Sequence, residues 1–262
     1  MDLSIIIVNY NSKEKTLFCL DSIYQADLAG IEVEVIVIEN HSYDILDDEI
    51  NTRFPKVKLL KSKKNLGMGG GNNLGINQAT GKFILILNPD TEIMKDSIKT
   101  MMEFLYRNEQ AGLVGPKLLY PDGTEQISCY RFPKLFIPIL RRTFLGYFAK
   151  NYVDDYLMKN VDLNQTQIVD WIQGSCLLIK MEVLTKVGLF DERFFMYLED
   201  TDLCKRIKLA GWQVVYLPTA QVIHHHERAS AKKPWYLAIF INRLSRIHIE
   251  SWIKYFIKWN FK

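Results

Sequence analysis

The chain has 262 residues, of which 48% are hydrophobic and 24% are charged. This balance is typical of a globular protein and excludes a disordered chain, and the length accommodates one large α/β domain or two small ones. The net charge of +3 is unevenly distributed, because residues 232–262 hold seven Lys/Arg and one acidic residue, giving +6 there and −3 in the rest. Since the basic character belongs to the tail, we expect no nucleic-acid partner.

Cysteine usage and hydropathy predict a soluble, cytoplasmic protein. The four cysteines form no C-x-x-C pair, which argues against a zinc site and a disulfide framework and fits a reducing compartment. The chain passes from Met1-Asp2 directly into an apolar run, without the pattern of a signal peptide. No apolar run approaches the ~20 residues that a membrane-spanning helix needs.

Short apolar runs alternate with amphipathic segments in the first part of the chain. The runs that indicate strands are Leu3–Val8, Val33–Ile38, Val57–Leu60 and Phe83–Leu87. The segments that indicate helices are Ser12–Gln25, Asp44–Arg53, Gly71–Ala79 and Lys95–Arg107. This alternation predicts an α/β fold with a mostly parallel, doubly wound sheet and helices on both faces.

Polar side chains follow three of the predicted strands. Asn9-Tyr10 follows the first strand, Glu39-Asn40 the second and Asn88-Pro89-Asp90 the fourth. A single polar strand end serves as a helix cap, which would suit Asn11 and Ser42. Three such ends on one edge of a doubly wound sheet, where ligands bind, favour a polar ligand.

The second half of the chain is less regular. Residues 131–150 combine five basic and no acidic residues with many apolar ones, and they fit a core segment, a mobile loop over a site or a membrane-facing surface. A strand at Cys176–Ile179, a helix at Glu199–Leu209 and two strands before His224-His225-His226 follow. We predict one domain over residues 1–230 and a basic, aromatic helical tail over 231–262.

A glycine cluster, Gly69-Gly70-Gly71, does not match the dinucleotide-binding fingerprint. The required G-x-G-x-x-G places a glycine at position 72, which is Asn72. The cluster fits either a plain loop or a flexible turn that feeds a helix N-terminus facing an anion.

Asp90 and His224 are candidate metal ligands. A carboxylate at a strand end suits a divalent cation that is also bound by phosphate oxygens. His224 ends another strand and would add a nitrogen ligand, which suits Mn²⁺ better than Mg²⁺. Taken singly, each is better explained as a structural residue, so the metal hypothesis requires both in one site.

Three acids, Glu199, Asp200 and Asp202, open the predicted helix directly after an aromatic run. The helix dipole favours negative charge there, and Asp202 can pair with Arg206 at i, i+4. That explanation does not account for the aromatic neighbours. A carboxylate walled by aromatic rings has a raised proton affinity, which suits a general base.

Four segments together resemble glycosyltransferase family two, most closely its bacterial rhamnosyltransferase-like branch. They read SIIIVNYNS, VIVIENHS, NLGMGGGNNLGINQATGKFILILNPDTEI and GLFDERFFMYLEDTDLCKRIKLAGWQVVYLPTAQVIHHH. The likeness runs from Leu3 to about Ser230 in family order, and residues 125–168 carry little of it. It implies a GT-A fold with a nucleotide-sugar half at about 1–115 and an acceptor half at about 116–230.

The resemblance also implies the roles of the metal-site and catalytic residues. Asp90 corresponds to the retained ligand of the family's D-x-D motif, with Asn88 replacing the first Asp, and His224 corresponds to a histidine that contacts Mg²⁺, Mn²⁺ or phosphate. The triple histidine leaves that register open by one position. In the family's E-D pair, Asp200 is the usual base and Glu199 its support.

The remaining donor-binding residues are likewise implied by the resemblance. Glu39 stands where the family has Asp and would contact the nucleobase or ribose. The other candidates are Asn9, Tyr10, Asn40, Gly67, Asn73, Asn88 and Gly174.

The function that follows is an inverting, metal-assisted sugar transfer in cell-surface polysaccharide synthesis. The donor would be a nucleotide-diphosphate sugar such as dTDP-rhamnose or a UDP-hexose, and the acceptor a hydroxyl of a glycan or a lipid-linked molecule. A nucleotidyltransferase is disfavoured because VNYNSKEK lacks the glycines of a phosphate loop. A non-catalytic binding protein on a degenerate fold is disfavoured by Asp90 and by Glu199-Asp200.

The tail carries apolar residues at helical spacing, namely Ile249, Trp252, Ile253 and Phe256. Such a stripe fits a helix that packs on the body. Its positive charge and aromatic content equally fit an interfacial helix on an anionic membrane, which would place the protein on the inner face of the membrane.

Overall fold

A computed structural model describes residues 1–142, 145–225 and 243–260. The strands are β1 (Leu3–Asn9), β2 (Val33–Glu39), β3 (Lys58–Lys61), β4 (Phe83–Leu87), β5 (Thr91–Ile93), β6 (Ala111–Leu119), β7 (Glu125–Gln126), β8 (Cys129–Tyr130), β9 (Gln167–Val169), β10 (Trp171–Ile172), β11 (Cys176–Lys180) and β12 (Gln213–His224). The helices are α1 (Lys13–Gln25), α2 (Asp47–Arg53), α3 (Gly67–Ile76), α4 (Ser97–Arg107), α5 (Ile137–Arg142), α6 (Leu145–Phe148), α7 (Lys150–Tyr156), α8 (Met181–Val187), α9 (Glu199–Leu209) and α10 (Arg243–Asn260).

The central sheet has the strand order β3-β2-β1-β4-β11-β6-β12-β5. Strands β3, β2, β1 and β4 are parallel, as the alternation of strands and helices predicted. Beyond β4 the pairing is mixed: β11 is antiparallel to both β4 and β6, and β12 is parallel to β6 but antiparallel to β5. The predicted α/β architecture with a central sheet is therefore confirmed, and the sheet is wholly parallel only from β3 to β4.

Strand β1 shows why the sheet is covered on both faces. Every residue of β1 is buried. Leu3, Ile5 and Ile7 belong to one core cluster, together with side chains of α1 and α4. Ile6 and Val8 belong to a second cluster, together with side chains of α3, α8 and α9. Because successive strand residues point to opposite faces, a strand covered on both sides is apolar throughout.

The glycine cluster lies inside helix α3, which begins at Gly67 rather than at the predicted Gly71. A Cβ added to Gly71 would lie 2.8 Å from Val8 Cγ1, and one added to Gly75 would lie 2.5 Å from Ile6 Cγ2. These glycines let the helix approach β1 closely, at the cost of a weaker intrinsic helix propensity. The predicted flexible turn is thus wrong for Gly69–Gly71, because these residues are packed helix positions.

The tail contains the predicted helix, α10, over its described residues. The helix packs on the body, with Tyr255 and Phe256 buried against Phe194 and Leu198 and with Trp252 beside them. The predicted packing is wrong for Ile249 and Ile253, which are exposed at 41% and 53% and form an exposed stripe with Ile257 at 59%, because the buried face of the helix is turned toward Tyr255. Within the described part of the chain, no helix combines the length and apolarity needed to cross a membrane.

Candidate active site

One cavity of about 470 Å³ lies between the strand ends, the start of α9, and helices α5 and α10. Six of the residues predicted for the site line it: Asn88, Asp90, Gly174, Glu199, Asp200 and His224. These residues come from separate parts of the sequence, so the fold assembles the predicted metal and catalytic groups in one place.

Asp90 and His224 face each other in this cavity. His224 ends β12 and Asp90 follows β4, and His224 Nε2 lies 3.3 Å from Asp90 Oδ1. Burial favours the neutral form of Asp90, but the hydrogen bond from His224 and its charge outweigh this effect, so the pKa of Asp90 lies below its usual value. The carboxylate is therefore ionised at neutral pH, as a cation ligand must be.

Gln126 orients His224, and nothing in the sequence indicated that these two residues would be in contact. The Gln126 Oε1 atom lies 2.6 Å from His224 Nδ1, and both side chains are buried. When Nδ1–H donates to Gln126, Nε2 faces Asp90: it donates to the carboxylate when the ring is protonated, and its lone pair is available to a cation when the ring is neutral. Hydrogen bonds of this kind orient metal-binding histidines.

The donor atoms in this corner fit a hard divalent cation. Besides Asp90 and His224, Asn88 contributes a buried Oδ1 that has no hydrogen-bond partner among the described residues. Nowhere in the ranges that the structure describes do three or more His, Cys, Asp or Glu side chains cluster as metal ligands. A cation here would thus take few protein ligands and leave coordination positions for phosphate oxygens.

The register of the histidine run is resolved for two of its three members. His225 points away from the cavity, where its Nε2 lies 3.2 Å from Glu92 Oε2 and its ring packs edge-on against Phe18. His226 lies outside the described residues. Of the two described histidines, His224 is the one that meets Asp90.

Asp200 is held by backbone groups at the start of α9. Its Oδ2 accepts a hydrogen bond of 2.8 Å from Gly174 N, and its Oδ1 accepts one of 2.6 Å from Thr201 N. A Cβ on Gly174 would lie 3.3 Å from Asp200 Oδ2, so glycine permits this close approach. The carboxylate consequently has a defined orientation beside the cavity.

Glu199 and Asp200 form a coupled pair of acids. Loss of hydration raises the pKa of both groups, and the charge of Asp200 raises that of Glu199 further. The hydrogen bonds from Gly174 and Thr201 favour the ionised form of Asp200, whereas Glu199 Oε2 has no hydrogen-bond partner among the described residues. A proton shared by the pair therefore rests on Glu199, and Asp200 stays ionised.

The backbone before these acids is strained. Tyr197 and Leu198 have φ values of +70° and +67°, in the left-handed region that costs a residue other than glycine about 1 kcal/mol or more. The segment is held from two sides: Met68 N donates to Phe195 O at 2.9 Å, and Ser251 Oγ donates to Met196 O at 2.8 Å. These contacts fix the direction in which α9 starts.

Helix α10 also contacts this part of the chain, through Asp202, which is fully buried. The predicted pair with Arg206 forms, with Nε donating to Asp202 Oδ2 at 2.9 Å. Two side chains of α10 also bind Asp202 Oδ1: Lys258 Nζ at 2.6 Å and Trp259 Nε1 at 2.9 Å. Lys258 further pairs with Asp191 at 2.8 Å. We call these contacts, between α10 and residues 191–202, the Asp202 clamp.

The remaining predicted residues lie outside the lining of this cavity. Asn9 joins the ends of β1 and β2, donating to Glu39 at 3.1 Å and accepting from Thr16 at 3.0 Å. Tyr10, beside it, is 40% exposed. Asn40 binds the chain entering α3 through Leu66 N at 2.9 Å. These two asparagines thus have partners within the protein.

Gly67 and Asn73 connect α3 to the chain before α9. A Cβ on Gly67 would lie 2.0 Å from Phe195 O, so only glycine permits this approach. The Asn73 side-chain amide donates to Phe190 O and Glu192 Oε1, and its oxygen accepts from Phe190 N, at 2.9 to 3.0 Å. The neighbouring Asn72 lines the cavity instead, and its buried Oδ1 has no partner among the described residues. Sequence reasoning missed Asn72, which it considered only as the residue that breaks the dinucleotide-binding fingerprint.

The mixed α/β sheet with helices on both faces is the architecture of the GT-A fold. The sequence matches the model of glycosyl transferase family 2 over residues 4–166. It is 31% identical to N-acetylglucosaminyl-diphospho-decaprenol L-rhamnosyltransferase of Mycobacterium tuberculosis, over 77% of this chain and 69% of that protein. The chain therefore belongs to glycosyl transferase family 2, and the predicted family and enzyme class are confirmed.

Two further comparisons agree with this assignment. Rhamnosyltransferase WbbL of Escherichia coli is 27% identical, over 72% of this chain and 69% of that protein. The fold is similar to that of a mannosyltransferase from Pyrobaculum calidifontis, solved with GDP-Man and Mn²⁺, with a TM-score of 0.61 and 19% identity. That match covers 90% of this chain and 59% of the solved one, so the chain spans about three fifths of that structure.

Proposed function

We propose that the protein is an inverting glycosyltransferase that moves a sugar from a nucleotide-diphosphate sugar to a hydroxyl of a glycan or lipid-linked acceptor. The observation that carries this proposal is the single cavity lined by the Asp90–His224 pair and by the Glu199–Asp200 pair. The first pair suits a cation that binds phosphate, and the second supplies a base.

Asp200 is the base in this proposal. It accepts the proton of the acceptor hydroxyl, whose oxygen attacks the anomeric carbon from the face opposite the nucleotide and so inverts the configuration. Its hydrogen bonds with Gly174 and Thr201 keep the carboxylate ionised and oriented before the reaction. Glu199 holds the shared proton and supports Asp200.

The leaving group is the nucleoside diphosphate. Asp90 and His224, with Asn88 beside them, would hold Mg²⁺ or Mn²⁺, and when bound the cation supplies positive charge that stabilises the departing diphosphate. Asn72 and Asn88 also line the cavity with buried amide oxygens.

The nucleobase is the proposed partner of Glu39. Its Oε2 is buried and has no hydrogen-bond partner among the described residues, while Oε1 is bonded by Asn9. A thymine or uracil base presents an N–H that a carboxylate accepts, so Glu39 is compatible with dTDP-rhamnose or a UDP-hexose as donor; guanine presents such an N–H as well. Asn9, Asn40, Gly67 and Asn73 would act by shaping the donor site, with Tyr10 at its rim.

The test of this function is sugar transfer and donor hydrolysis with Mn²⁺ or Mg²⁺ in the parent, Asp90→Ala and Asp200→Asn. We expect Asp200→Asn to lose about 10³-fold in transfer rate, the range of a general base. Asp122→Asn, in the turn before β7, is the matched control and should retain the parent rate. Equal rates in all four proteins would refute the catalytic roles and favour the alternative, a non-catalytic nucleotide- or carbohydrate-binding protein.

A lipid-linked acceptor would place the reaction at a membrane. The mycobacterial relative is named for a diphospho-decaprenol acceptor, and by analogy we propose cell-envelope polysaccharide synthesis at the cytoplasmic face of the membrane. Helix α10 exposes isoleucines together with two arginines, Arg243 and Arg246. Apolar and basic side chains on one helix support a peripheral contact with an anionic lipid surface.

Vesicle flotation tests the membrane contact. We expect Ile253→Glu/Ile257→Glu to float less with vesicles of phosphatidylglycerol and phosphatidylcholine than the parent. Ile168→Glu is the control, because Ile168 on β9 has the same 53% exposure as Ile253. Equal flotation of all three proteins would show that α10 does not contact the membrane.

A further inference from the structure

Aromatic rings line the cavity beside Asp200. Tyr130 stacks on Trp171 with ring centroids 4.5 Å apart and planes 19° apart, and on Tyr156 with centroids 5.5 Å apart. Trp252 of α10 packs against the same cluster and lines the same cavity. Ring faces of this kind bind the apolar face of a flat or ring-shaped ligand.

Helix α10 contributes a second side chain to this wall. His248 lies one helical turn before Trp252, and its ring centroid is 4.7 Å from that of Tyr197. Tyr197 belongs to the strained segment that precedes Glu199. All three side chains line the cavity. The tail thus contributes His248 and Trp252 to the wall.

Arg141 adds a positive charge at the cavity. It lies on α5, with its guanidinium 5.6 Å from the centre of the Tyr156 ring. The Arg141 side chain is exposed and hydrogen-bonds the Tyr156 side chain, and among the described residues no carboxylate forms an ion pair with it. A guanidinium that lines a cavity suits a phosphate group, which it binds through two parallel hydrogen bonds.

The position of these groups relative to Asp200 indicates which substrate they meet. The base must lie within hydrogen-bond distance of the acceptor hydroxyl. Burial and, to a smaller degree, the charge of Asp200 raise the pKa of both Tyr130 and Tyr156. Because Tyr130 stacks on Trp171, an acceptor that reaches Asp200 lies beside this aromatic cluster. The Asp90–His224 pair would hold the cation that binds the donor diphosphate.

We propose that Trp171, His248, Trp252 and Arg141 form an acceptor subsite for a sugar that is carried on a diphosphate. The sugar ring lies against Trp171 and Trp252 and presents a hydroxyl to Asp200, and the diphosphate binds Arg141. The subsite rests on the proposed function, since it gives that transfer its acceptor.

The experiment measures equilibrium binding to the full chain by titration calorimetry, which does not depend on turnover. The probe is N-acetylglucosaminyl-diphospho-citronellol, a soluble short-chain sugar diphosphate, and the variants are Arg141→Gln and Trp252→Leu. We expect each variant to bind the probe about tenfold or more weakly. Arg107→Gln, an exposed arginine on α4, is the control and should bind like the parent.

A second titration separates the acceptor diphosphate from the donor diphosphate. Binding of dTDP and UDP with Mn²⁺ should be unchanged in Arg141→Gln if the arginine serves the acceptor. Weaker nucleotide binding with unchanged probe binding would overturn the subsite and assign Arg141 to the donor.

Failure of the subsite and failure of the proposed function are distinguishable. No binding of the probe by the parent, or equal binding by both variants, refutes the subsite whatever the hydrolysis assay shows. Donor hydrolysis that is insensitive to Asp200→Asn refutes the catalytic role whatever the probe does. Circular dichroism of Trp252→Leu checks its fold, and Arg141→Gln tests the proposal independently of core packing.

Discussion

The two sides of the cavity are built in different ways. On the metal side, Asp90 and His224 sit directly at the ends of paired strands, and His225 N donates to Asp90 O at 2.8 Å to continue that pairing. On the acid side, Glu199 and Asp200 follow two residues in the left-handed region, held by the Asp202 clamp and by α3.

Because of this difference, a substitution on the metal side should change cation binding alone, whereas one on the acid side should also change stability. The sheet positions Asp90 through backbone pairing that does not depend on the site's own side chains, so changes there should affect cation binding with little effect on folding. The acid side depends on buried charges from a distant helix, so a change in the clamp should affect stability and activity together.

Replacement of Lys258, on the acid side, should have the largest effect on stability and activity. Lys258→Met leaves Asp202 buried without one of its cations, and breaking a buried ion pair costs about 3 kcal/mol. Urea unfolding should show this loss, and transfer activity should fall in the protein that remains folded. Arg246→Met is the matched control on the same helix, because Arg246 is exposed and its replacement should cost less than about 1 kcal/mol. Equal destabilisation by both variants would contradict the clamp.

Replacement of Gln126 should have a smaller effect, confined to the metal side. Gln126→Leu removes the hydrogen bond that orients His224, and changes of this kind reduce metal affinity about tenfold or more. Mn²⁺ binding measured by electron paramagnetic resonance should weaken, while the urea midpoint stays close to that of the parent. A large loss of stability with unchanged Mn²⁺ binding would show that Gln126 serves the fold and not the site.

The smallest effect concerns the pH dependence of the acid pair. The acceptor reaction requires ionised Asp200, so the rate falls as the pH drops through its raised pKa. When Asp200 is ionised, the proton of the pair is on Glu199, whose pKa burial and the charge of Asp200 raise to about 8. Glu199→Gln keeps this group neutral at every pH, so the acidic limb of kcat/KM, which reports Asp200, should stay in place, and any change in rate near pH 8 that accompanies ionisation of Glu199 should disappear. Glu182→Gln, on α8, is the control and should keep the parent profile. An acidic limb that moves would contradict the assignment of the proton to Glu199.

Local sequence patterns predicted the elements next to the site on both sides of the cavity. Strand β4 and helix α9 have the predicted bounds, Phe83–Leu87 and Glu199–Leu209. Both carry strong local signals, since β4 is a continuous apolar run and α9 opens with acids and ends before Gly211. The candidate metal and catalytic residues were identified from strand ends and from the family resemblance, and the fold brings them to one cavity.

What the sequence alone determined is therefore the α/β alternation, the polar strand ends and the acid pair, because each depends on residues that are close along the chain. Only the tertiary structure decided the antiparallel insertion of β11, the packing role of the glycines in α3, and the partners of His224 and Asp202. Gln126 is 98 residues from His224, and Trp259 is 57 residues from Asp202. Contacts over such distances leave no periodic signal, since they depend on how the whole chain closes around its core.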